Sequence, residues 1–431
     1  MRLPTGRACY IIIIMRNNNG KVAVFWDQSY LWGLIAFRAF RAEGVDFDLL
    51  TADDIRAGLL KGYDLLFVPG GWASDKMAAL GEDGAKAVRT FIEGGGGYLG
   101  FCGGAGLALT HDSGLGLLPV RRLPTGKRLP SFSGTIRLHL HGGDHPVWSG
   151  VEDGQTFHAW WPGQFSPPGD DSVQVLAEYG DPGLDAFVTD LPVRDGTDWQ
   201  AWEENYGINL DPGRIRGEPA LIESRHGAGK VLLSYIHFET PGDLSGRRVL
   251  MNLLSYMAGG GDGGGHISPE PPAVEQHAEA VALASSLAAE AMRFDRFGME
   301  NLLWYRRRDW LLQWRRGVRG IEYSTLDAML KEIANHAEFA GGLDRESNLG
   351  IRQLAGLVRE FYSGARRLLM LERLAMARGP LSPLKCDDPR IQELRSELFS
   401  SDRRCGGRYR RIAVIADAIL LRQLRRRLRG G

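Results

Sequence analysis

The sequence predicts an α/β protein with a doubly wound parallel sheet and additional antiparallel strands, followed by an all-α region. Two patterns lead to this fold class. Short apolar runs alternate with helical stretches over residues 21–101, at the spacing of strands and helices in a parallel sheet. Beyond residue 273, apolar positions recur with helical periodicity, and hardly any strand pattern interrupts them.

The first part of the chain contains the predicted sheet. Its early strands are predicted at residues 21–27, 47–50, 64–68 and 97–101, with helices at 30–43 and 84–93. Residues 136–141 alternate between apolar and polar side chains, as in an antiparallel strand with one wet face. Later strands are predicted at residues 173–178, 220–224 and 230–236, and a helix at 247–257 closes the domain.

A glycine tract followed by prolines marks the predicted domain boundary. Residues 258–273 read AGGGDGGGHISPEPPA, a composition that cannot bury a core. We therefore predict an α/β domain at residues 21–258, a linker at 259–273 and a basic all-helical domain at 274–431. The helices of the last domain are predicted at residues 274–292, 302–314, 325–339, 351–377, 390–399 and 411–428.

The N-terminal residues are predicted to lie outside the fold. We interpret residues 1–20 as a spurious or disordered extension, and we favour Met15 over Met1 as the natural start. The longest apolar run there, residues 8–15, is far shorter than the roughly 20 residues of a membrane-spanning helix. It also lacks the features of a signal peptide.

Composition excludes several classes of protein. Apolar residues make up 44% of the chain and aromatic residues 9%, which is enough for a core and excludes wholesale disorder. The four cysteines, Cys9, Cys102, Cys386 and Cys405, are widely spaced without a CxxC pair. This pattern argues against a disulfide framework or a structural zinc site, and it favours a reducing, cytoplasmic location.

The net charge of zero hides an asymmetry between the two parts. Of 52 basic and 52 acidic residues, 29 basic and 21 acidic lie from Glu270 onward. Aromatic residues and arginines interleave over residues 304–319, and arginines recur over residues 422–429. Such segments are typical of binding to nucleic acid or an anionic membrane surface. A solvated face, or one that docks a protein partner, is the commoner interpretation.

The segment GYLGFCGGA at residues 97–105 predicts a nucleophile elbow. Cys102 ends an apolar strand and precedes a helix, and glycines two residues before and after it let neighbouring backbones approach, as in the GxSxG elbow of serine hydrolases. The N-terminus of the following helix would stabilise a thiolate. A small buried residue in a glycine-rich turn is the alternative.

A candidate base and its orienting group follow late in the chain. The predicted strand at residues 230–236 runs into His237, and Glu239 lies two residues further on. Residues two apart in an extended chain project to the same side, so Glu239 can orient His237 towards a nucleophile. A surface histidine beside a carboxylate is the ordinary alternative.

A turn after another strand supplies the third element. The segment PGGW at residues 69–72 follows a predicted strand, and parallel sheets place function at the carboxyl ends of their strands. The N–H groups of Gly71 and Gly103 are therefore candidate oxyanion donors. Gly70 and Trp72 beside them are candidate substrate-binding residues. A tight turn without function is the alternative.

In this order and spacing, the three motifs resemble the class I glutamine amidotransferase-like superfamily. They are most similar to the domain found at the N-terminus of eukaryotic biotin protein ligases and in bacterial relatives. The resemblance covers residues 21–259 and implies a flavodoxin-like sheet. It also rests on HPV at residues 145–147 with Gly150, on residues 160–165, and on GKV at residues 229–231 leading into HFE.

The resemblance implies roles for three residues. Cys102 would be the nucleophile, His237 the base and Glu239 its orienting group, and the resemblance implies no cofactor. Two positions depart from true glutaminases: Gly106 stands where they carry glutamine, and Phe238 stands where they carry the proline of His-Pro-Glu. The catalytic half of a biotin ligase is missing from the sequence, so a biotin ligase activity is not predicted.

Three further features have competing interpretations. The stretch HLHGGDH at residues 139–145 suits a metal in its residue types, but alternating polar residues on a wet strand are ordinary, and no metal site is predicted. Trp160 and Trp161 are candidate pocket walls or core residues. Asp27, after the first strand, is a candidate substrate ligand or a helix cap.

Two functions remain open at this point. The first is an amide hydrolase or amidotransferase that acts on a small molecule or peptide through a Cys102 thioester, with a helical regulatory or docking domain. The second is a non-catalytic module that binds a small molecule or peptide and docks a protein partner through its helical domain.

Overall fold

The computed structural model describes residues 20–258, 273–275, 278–379, 381–382, 386–400 and 406–429. The strands are β1 (Val22–Phe25), β2 (Phe47–Leu50), β3 (Leu65–Val68), β4 (Gly97–Phe101), β5 (Arg121–Arg122), β6 (Phe132–Leu140), β7 (Thr156–Trp160), β8 (Phe165–Ser166), β9 (Val173–Pro182), β10 (Phe187–Val188), β11 (Leu191–Pro192), β12 (Pro219–His226), β13 (Gly229–Ser234), β14 (Trp304–Arg308) and β15 (Leu311–Trp314). The helices are α1 (Tyr30–Ala42), α2 (Ala52–Arg56), α3 (Ala73–Glu93), α4 (Gly103–Ala108), α5 (Trp199–Tyr206), α6 (Leu244–Ala258), α7 (Ala278–Glu300), α8 (Ile321–Ala340), α9 (Arg345–Met376), α10 (Pro389–Phe399) and α11 (Gly407–Arg429).

Several sequence predictions fall on residues outside these ranges. The predicted N-terminal extension, except for its last residue, and the predicted linker up to residue 272 lie outside the described residues, as do Cys9 and Cys405. We refer below to residues 20–258 as the first part and to the described residues from 273 onward as the second part.

Eleven strands form one sheet in the first part. Strands β2, β1, β3, β4 and β13 are parallel neighbours in this order, which is the 2-1-3-4-5 order of a flavodoxin-like sheet with β13 in fifth place. Strands β12, β9 and β6 continue the sheet in antiparallel fashion, and β7, β10 and β11 complete it. The predicted doubly wound sheet with antiparallel additions is confirmed.

Burial follows the two kinds of strand. Every residue of β1, β2 and β3 is buried, as expected for short apolar strands covered on both faces. On β6, by contrast, Ile136 and Leu138 are buried while Arg137 and His139 are exposed. The wet face predicted for this strand is present.

The second part is mostly helical, as predicted, with one correction. Residues 302–314 were expected to form a helix, but they contain a hairpin of β14 and β15 in which Trp304 lies opposite Trp314. Aromatic cross-strand pairs of this kind stabilise hairpins. Trp310 and Leu311, at the tip, pack with Leu31 and Trp32 of the first part. Packing between the two parts thus favours a hairpin in this segment, although the spacing of its apolar residues is that of a helix.

Ion pairs join the two parts. Arg38 of α1 pairs with Glu332 of α8, and Arg308 pairs with Asp185 at 3.3 Å. In addition, Arg425 of α11 pairs with Asp54 of the first part. Arg308 and Arg425, which lie in the predicted basic segments, are therefore engaged within the molecule, whereas in the first pair the arginine belongs to the first part.

Among the described helices, none combines the length and the apolar character needed to cross a membrane.

Candidate active site

Cys102 occupies a strained turn between β4 and α4. Its backbone has φ +49° and ψ −105°, a region that residues with a side chain rarely adopt and that costs about 1–3 kcal/mol. Its N–H donates to the carbonyl of Ser234 at the end of β13, at 2.8 Å. The cysteine is half-buried. Cys102 therefore lies in a strained turn between a strand and a helix, where the sequence places it.

Two glycines after the cysteine allow the elbow to lie against the end of β3. A Cβ atom on Gly103 would lie 1.9 Å from the carbonyl oxygen of Gly71. A Cβ atom on Gly104 would lie 1.9 Å from that of Val68. These distances leave no space for a side chain at either position. The glycines thus bring the turn after β3 into direct contact with the residue that follows Cys102.

His237 and Glu239 form a buried pair. The Nδ1–H of His237 donates to Oε1 of Glu239 at 2.8 Å, and neither residue is more than 2% exposed. Thr240 fixes the turn between them, because both its N–H and its hydroxyl donate to the carbonyl of His237. The pair expected from the sequence is present, but a turn brings the two side chains together, not the extended chain from which it was predicted.

Neighbouring groups change the pKa of His237. Burial disfavours the imidazolium, but the Glu239 carboxylate, its hydrogen bond to Nδ1 and the nearby Cys102 outweigh burial and raise the pKa of His237. Because Nδ1 is taken by Glu239, Nε2 is the nitrogen left for Cys102. Nε2 is buried and makes no hydrogen bond of good geometry to a described residue.

The candidate oxyanion donors lie side by side. Gly71 has φ +121°, a conformation that favours glycine, and its carbonyl abuts Gly103. Within the described part of the chain, the N–H of neither Gly71 nor Gly103 donates a hydrogen bond. Both are half-buried beside Cys102. Two free backbone donors next to a nucleophile suit a developing oxyanion.

Trp32 of α1 is a residue that the sequence analysis missed. Its ring centroid lies 4.4 Å from that of His237, with 32° between the ring planes. On another side, a Cβ atom on Gly70 would lie 2.7 Å from Cγ of Trp32. Gly70 thus makes room for the indole next to the histidine. In the sequence, Trp32 looked like one of many apolar positions of a helix.

A buried lysine behind the oxyanion turn was also missed. Lys76 is fully buried, and its ammonium donates to the carbonyl of Asp27 at 3.1 Å and to the hydroxyl of Ser29. Burial lowers the pKa of Lys76 to about 7, against the opposing attraction of Asp27 and of Asp417 in α11. Lys76 braces the turn after β1, whose Gln28 carbonyl abuts Gly71.

A second histidine–carboxylate pair lies close by. His158 bonds to Asp243 through Nδ1 at 2.7 Å, and the guanidinium of Arg308 donates to Nε2 at 2.8 Å. Both nitrogens of His158 are occupied, which distinguishes it from His237.

A cavity of about 780 Å³ opens beside the site. Trp72, 51% exposed, lines it next to Gly71. Gly106 also lines it, and its N–H donates to the carbonyl of Cys102 at 2.9 Å. The cavity therefore borders both the oxyanion turn and the elbow helix. Trp72, proposed from the sequence for substrate binding, lies where a substrate in this cavity would contact it.

The other residues that the sequence analysis singled out make contacts that stabilise the fold. Trp160 is fully buried, and Trp161 stacks on Trp314 at 5.5 Å, so both belong to the contact between the two parts. The carboxylate of Asp27 accepts from the N–H of Ala52 at 2.8 Å and caps α2. Among the described residues no cluster of ligands fits a metal ion, and in the stretch 139–145 two histidines pair with glutamates.

No protein-family model matches the chain, and no curated protein matches it. Among solved structures, a putative GMP synthase subunit from Thermoplasma acidophilum is 17% identical over 54% of this chain and 92% of its own, with a TM-score of 0.35. A putative ThuA-like protein from Bacteroides uniformis is 15% identical over 54% of this chain and 88% of its own, with a TM-score of 0.33. We draw no function from these likenesses.

Proposed function

We propose that this protein is an amide hydrolase or amidotransferase that forms a thioester through Cys102. The observation that carries the proposal is the strained Cys102 elbow beside a His237–Glu239 pair whose Nε2 is left for the thiol. We propose further that the first part is related to the biotin protein ligase N-terminal-like domain, as its motifs suggest, without ligase activity.

The proposed reaction begins at the thiol. Cys102 passes its proton to Nε2 of His237, and the thiolate attacks the carbonyl carbon of the amide, so that a C–S bond forms and the π electron pair moves to oxygen. Glu239 holds the imidazolium in place from Nδ1. When the tetrahedral adduct collapses, the C–N bond breaks and the imidazolium gives its proton to the leaving amine. The acyl group remains on sulfur.

The second half of the cycle releases the acyl group. Water, or an acceptor amine in a transferase, attacks the thioester while His237 takes the proton of the attacking group. The C–S bond then breaks and the thiol is restored. In both halves the N–H groups of Gly71 and Gly103 stabilise the oxyanion, a contribution of about 3 kcal/mol per donor in comparable sites.

At two motif positions this chain carries residues that differ from those of true glutaminases. Gly106, which replaces the usual glutamine, lines the cavity without a side chain and so leaves space there. Phe238, which replaces the usual proline, is fully buried and packs against Phe101 and Phe157. We therefore propose an amide substrate other than glutamine.

Alkylation of Cys102 by iodoacetamide tests the proposal. Peptide-resolved mass spectrometry at pH 7 separates Cys102 from the other cysteines, with N-acetylcysteine as the reference. A free thiol is only a few per cent ionised at this pH, so a thiolate at Cys102 reacts up to about thirtyfold faster. His237→Gln should return the rate to that of the reference. His158→Gln is the matched control, since it also removes a carboxylate-paired histidine, and it should leave most of the acceleration.

A second measurement concerns the thioester itself. Incubation with a panel of small amides, followed by intact mass spectrometry, should reveal an acyl adduct on the wild-type chain and none on Cys102→Ala. If Cys102 reacts no faster than N-acetylcysteine and no amide gives an adduct, the catalytic proposal is wrong, and the non-catalytic binding module is the function to pursue.

A further inference from the structure

We propose that Lys76 is a positioning residue for the oxyanion turn (residues 69–72), because its ammonium holds the turn after β1 against Gly71. This inference rests on the proposed function, in which the N–H of Gly71 stabilises the oxyanion. It goes further by assigning a role to a buried lysine that the proposed reaction does not use. The role of Lys76 is to act through the backbone of Gly71 and not to touch the substrate.

Lys76 is bonded to two neighbouring turns. Its backbone N–H donates to the carbonyl of Trp72 at 3.0 Å, so it lies in the first turn of α3, directly after the oxyanion turn. Its ammonium donates to the carbonyl of Asp27 at 3.1 Å and to the hydroxyl of Ser29, both in the turn after β1. A single residue therefore connects the turn after β3 with the turn after β1.

The two turns touch at Gln28. A Cβ atom on Gly71 would lie 2.3 Å from the carbonyl oxygen of Gln28 and 3.2 Å from Cε of Lys76. In the sequence, Gln28 stands between the two residues that accept hydrogen bonds from the ammonium. Lys76 thus fixes the residue against which the backbone of Gly71 rests, and its own side chain lies beside Gly71 as well.

Backbone strain in the chain after β1 is an independent observation. Gln28 has φ +59°, and Tyr30 at the start of α1 has φ +45°, although neither is a glycine. Such conformations are unfavourable and persist only where the surrounding contacts hold them. Cys102 is strained in the same way. Gly71 therefore lies against two strained segments, the elbow on one side and the segment that Lys76 holds on the other.

The burial of Lys76 also indicates a specific role. Lys76 is fully buried, whereas Lys86, the other lysine of α3, is exposed. Lysines are almost never fully buried unless they are paired, because the ammonium loses its hydration. Burial lowers its pKa to about 7, against the charges of Asp27, Asp417 and Cys102. As pH rises through this value, the charge-assisted hydrogen bonds to the turn after β1 become ordinary, weaker ones.

Two reagents with different transition states test this role on the full chain. p-Nitrophenyl acetate acylates a thiolate: the C–S bond forms, the electron pair of the carbonyl moves to oxygen, and p-nitrophenolate then leaves. Iodoacetamide alkylates a thiolate by direct displacement of iodide, so only acylation develops an oxyanion. The ratio of the acylation rate to the alkylation rate at Cys102 is divided by the same ratio for N-acetylcysteine. This normalised ratio reports on the oxyanion turn, because the ionisation of the thiol cancels.

We expect the normalised ratio of the wild type to exceed one at pH 6 and to fall several-fold by pH 8.5, as Lys76 loses its proton. Lys76→Met should lower the ratio at pH 6 by about tenfold, less than the loss of about a hundredfold when a whole oxyanion donor is removed, and should abolish its pH dependence. Lys86→Met is the matched control on the same helix and should change neither. If melting temperatures show that Lys76→Met does not fold, Ser29→Ala replaces it, because it removes one acceptor of the ammonium and should lower the ratio several-fold.

The outcomes separate this inference from the proposed function. A ratio that Lys76→Met leaves unchanged overturns the positioning role, while the proposal for Cys102 stands. A ratio that falls in this variant but is constant with pH in the wild type assigns Lys76 to packing alone, which also overturns it. So does a pH dependence that persists in Lys76→Met, because another group then titrates. If iodoacetamide reacts no faster at Cys102 than with N-acetylcysteine, or if the wild-type ratio is near one, the proposed nucleophile or its oxyanion turn fails, and this inference fails with it.

Discussion

The indole of Trp32 covers the imidazole of His237, with 4.4 Å between the two ring centroids. Such a cover keeps water from one face of the histidine and restricts the direction in which Nε2 points. Trp32 in turn contacts Trp310 at the tip of the hairpin, at 6.0 Å between centroids. The second part of the chain thus supports the candidate base through a single intervening side chain.

Replacement of Trp32 tests this cover. Trp32→Ala removes a large, 9%-exposed side chain from the contact and should lower the free energy of unfolding by about 3–5 kcal/mol. Trp32→Phe keeps a ring over the histidine and should cost less. Denaturant unfolding and the iodoacetamide rate at Cys102 measure the two effects. A Trp32→Ala variant as stable and as reactive as the wild type would contradict the assignment.

Trp310 provides the corresponding test from the other side of the contact. Trp310→Ala leaves every proposed catalytic residue in place but removes the support of Trp32, so we expect the Cys102 alkylation rate to fall several-fold. Trp202→Ala is the matched control, because Trp202 is 39% exposed on α5, where surface changes usually stay within about 0.5 kcal/mol. Equal alkylation rates in the two variants would show that the hairpin does not support the site.

Gly103→Ala tests the contact between the elbow and the turn after β3. Its new Cβ atom would lie 1.9 Å from the carbonyl oxygen of Gly71, so one of the two segments must move. We expect a loss of stability of about 3 kcal/mol, at the upper end for overpacking, and a loss of Cys102 reactivity. Gly143→Ala, whose Cβ atom meets no atom within 4 Å, should change neither. The measurements are the unfolding midpoint and the alkylation rate.

Lys76 predicts a pH dependence of stability. Its pKa in the fold is lowered to about 7 from an ordinary 10.5, so between these values the unfolded chain binds more protons than the folded one. Stability conferred by this position should therefore rise with pH in that window, by up to about 1.4 kcal/mol per pH unit, and stay level below pH 7. Lys76→Met removes the titrating group, so denaturant unfolding of both chains at pH 6, 7, 8.5 and 10 isolates the effect. A constant difference between the chains would contradict the prediction.

Local signals in the sequence were sufficient for the parallel strands. The strands that became β2 and β4 were predicted at their observed bounds, and β1 and β3 within two residues, because buried parallel strands are short apolar runs that end in glycine or polar residues. The hairpin was missed because its stability comes from contacts across the chain. Trp310 and Leu311 are apolar at helical spacing, and only Leu31 and Trp32, far away in sequence, explain why they form a tip.

In the candidate site, too, residues in contiguous motifs could be predicted, and residues that depend on contacts across the chain could not. Cys102, His237 and Glu239 stood out because their motifs are contiguous: an elbow of glycines, and a histidine two residues before a carboxylate. Lys76 and Trp32 lie on helices whose sequence patterns are ordinary, and they come close to the candidate site only in the folded chain. The sequence alone therefore does not distinguish them from other helical residues.

The aromatic contact between the two parts also governs what happens if they are separated. Leu31, Ile35 and Trp160 pack with Trp310 and Leu311 in one cluster. Cleavage between residues 258 and 273, followed by dissociation, would bare this face, and a contiguous apolar patch on a surface promotes self-association. Light scattering should therefore rise as a protease removes the second part. A version of the protein limited to residues 20–258 should therefore aggregate, and polar substitutions on the bared face of α1 should reduce this aggregation.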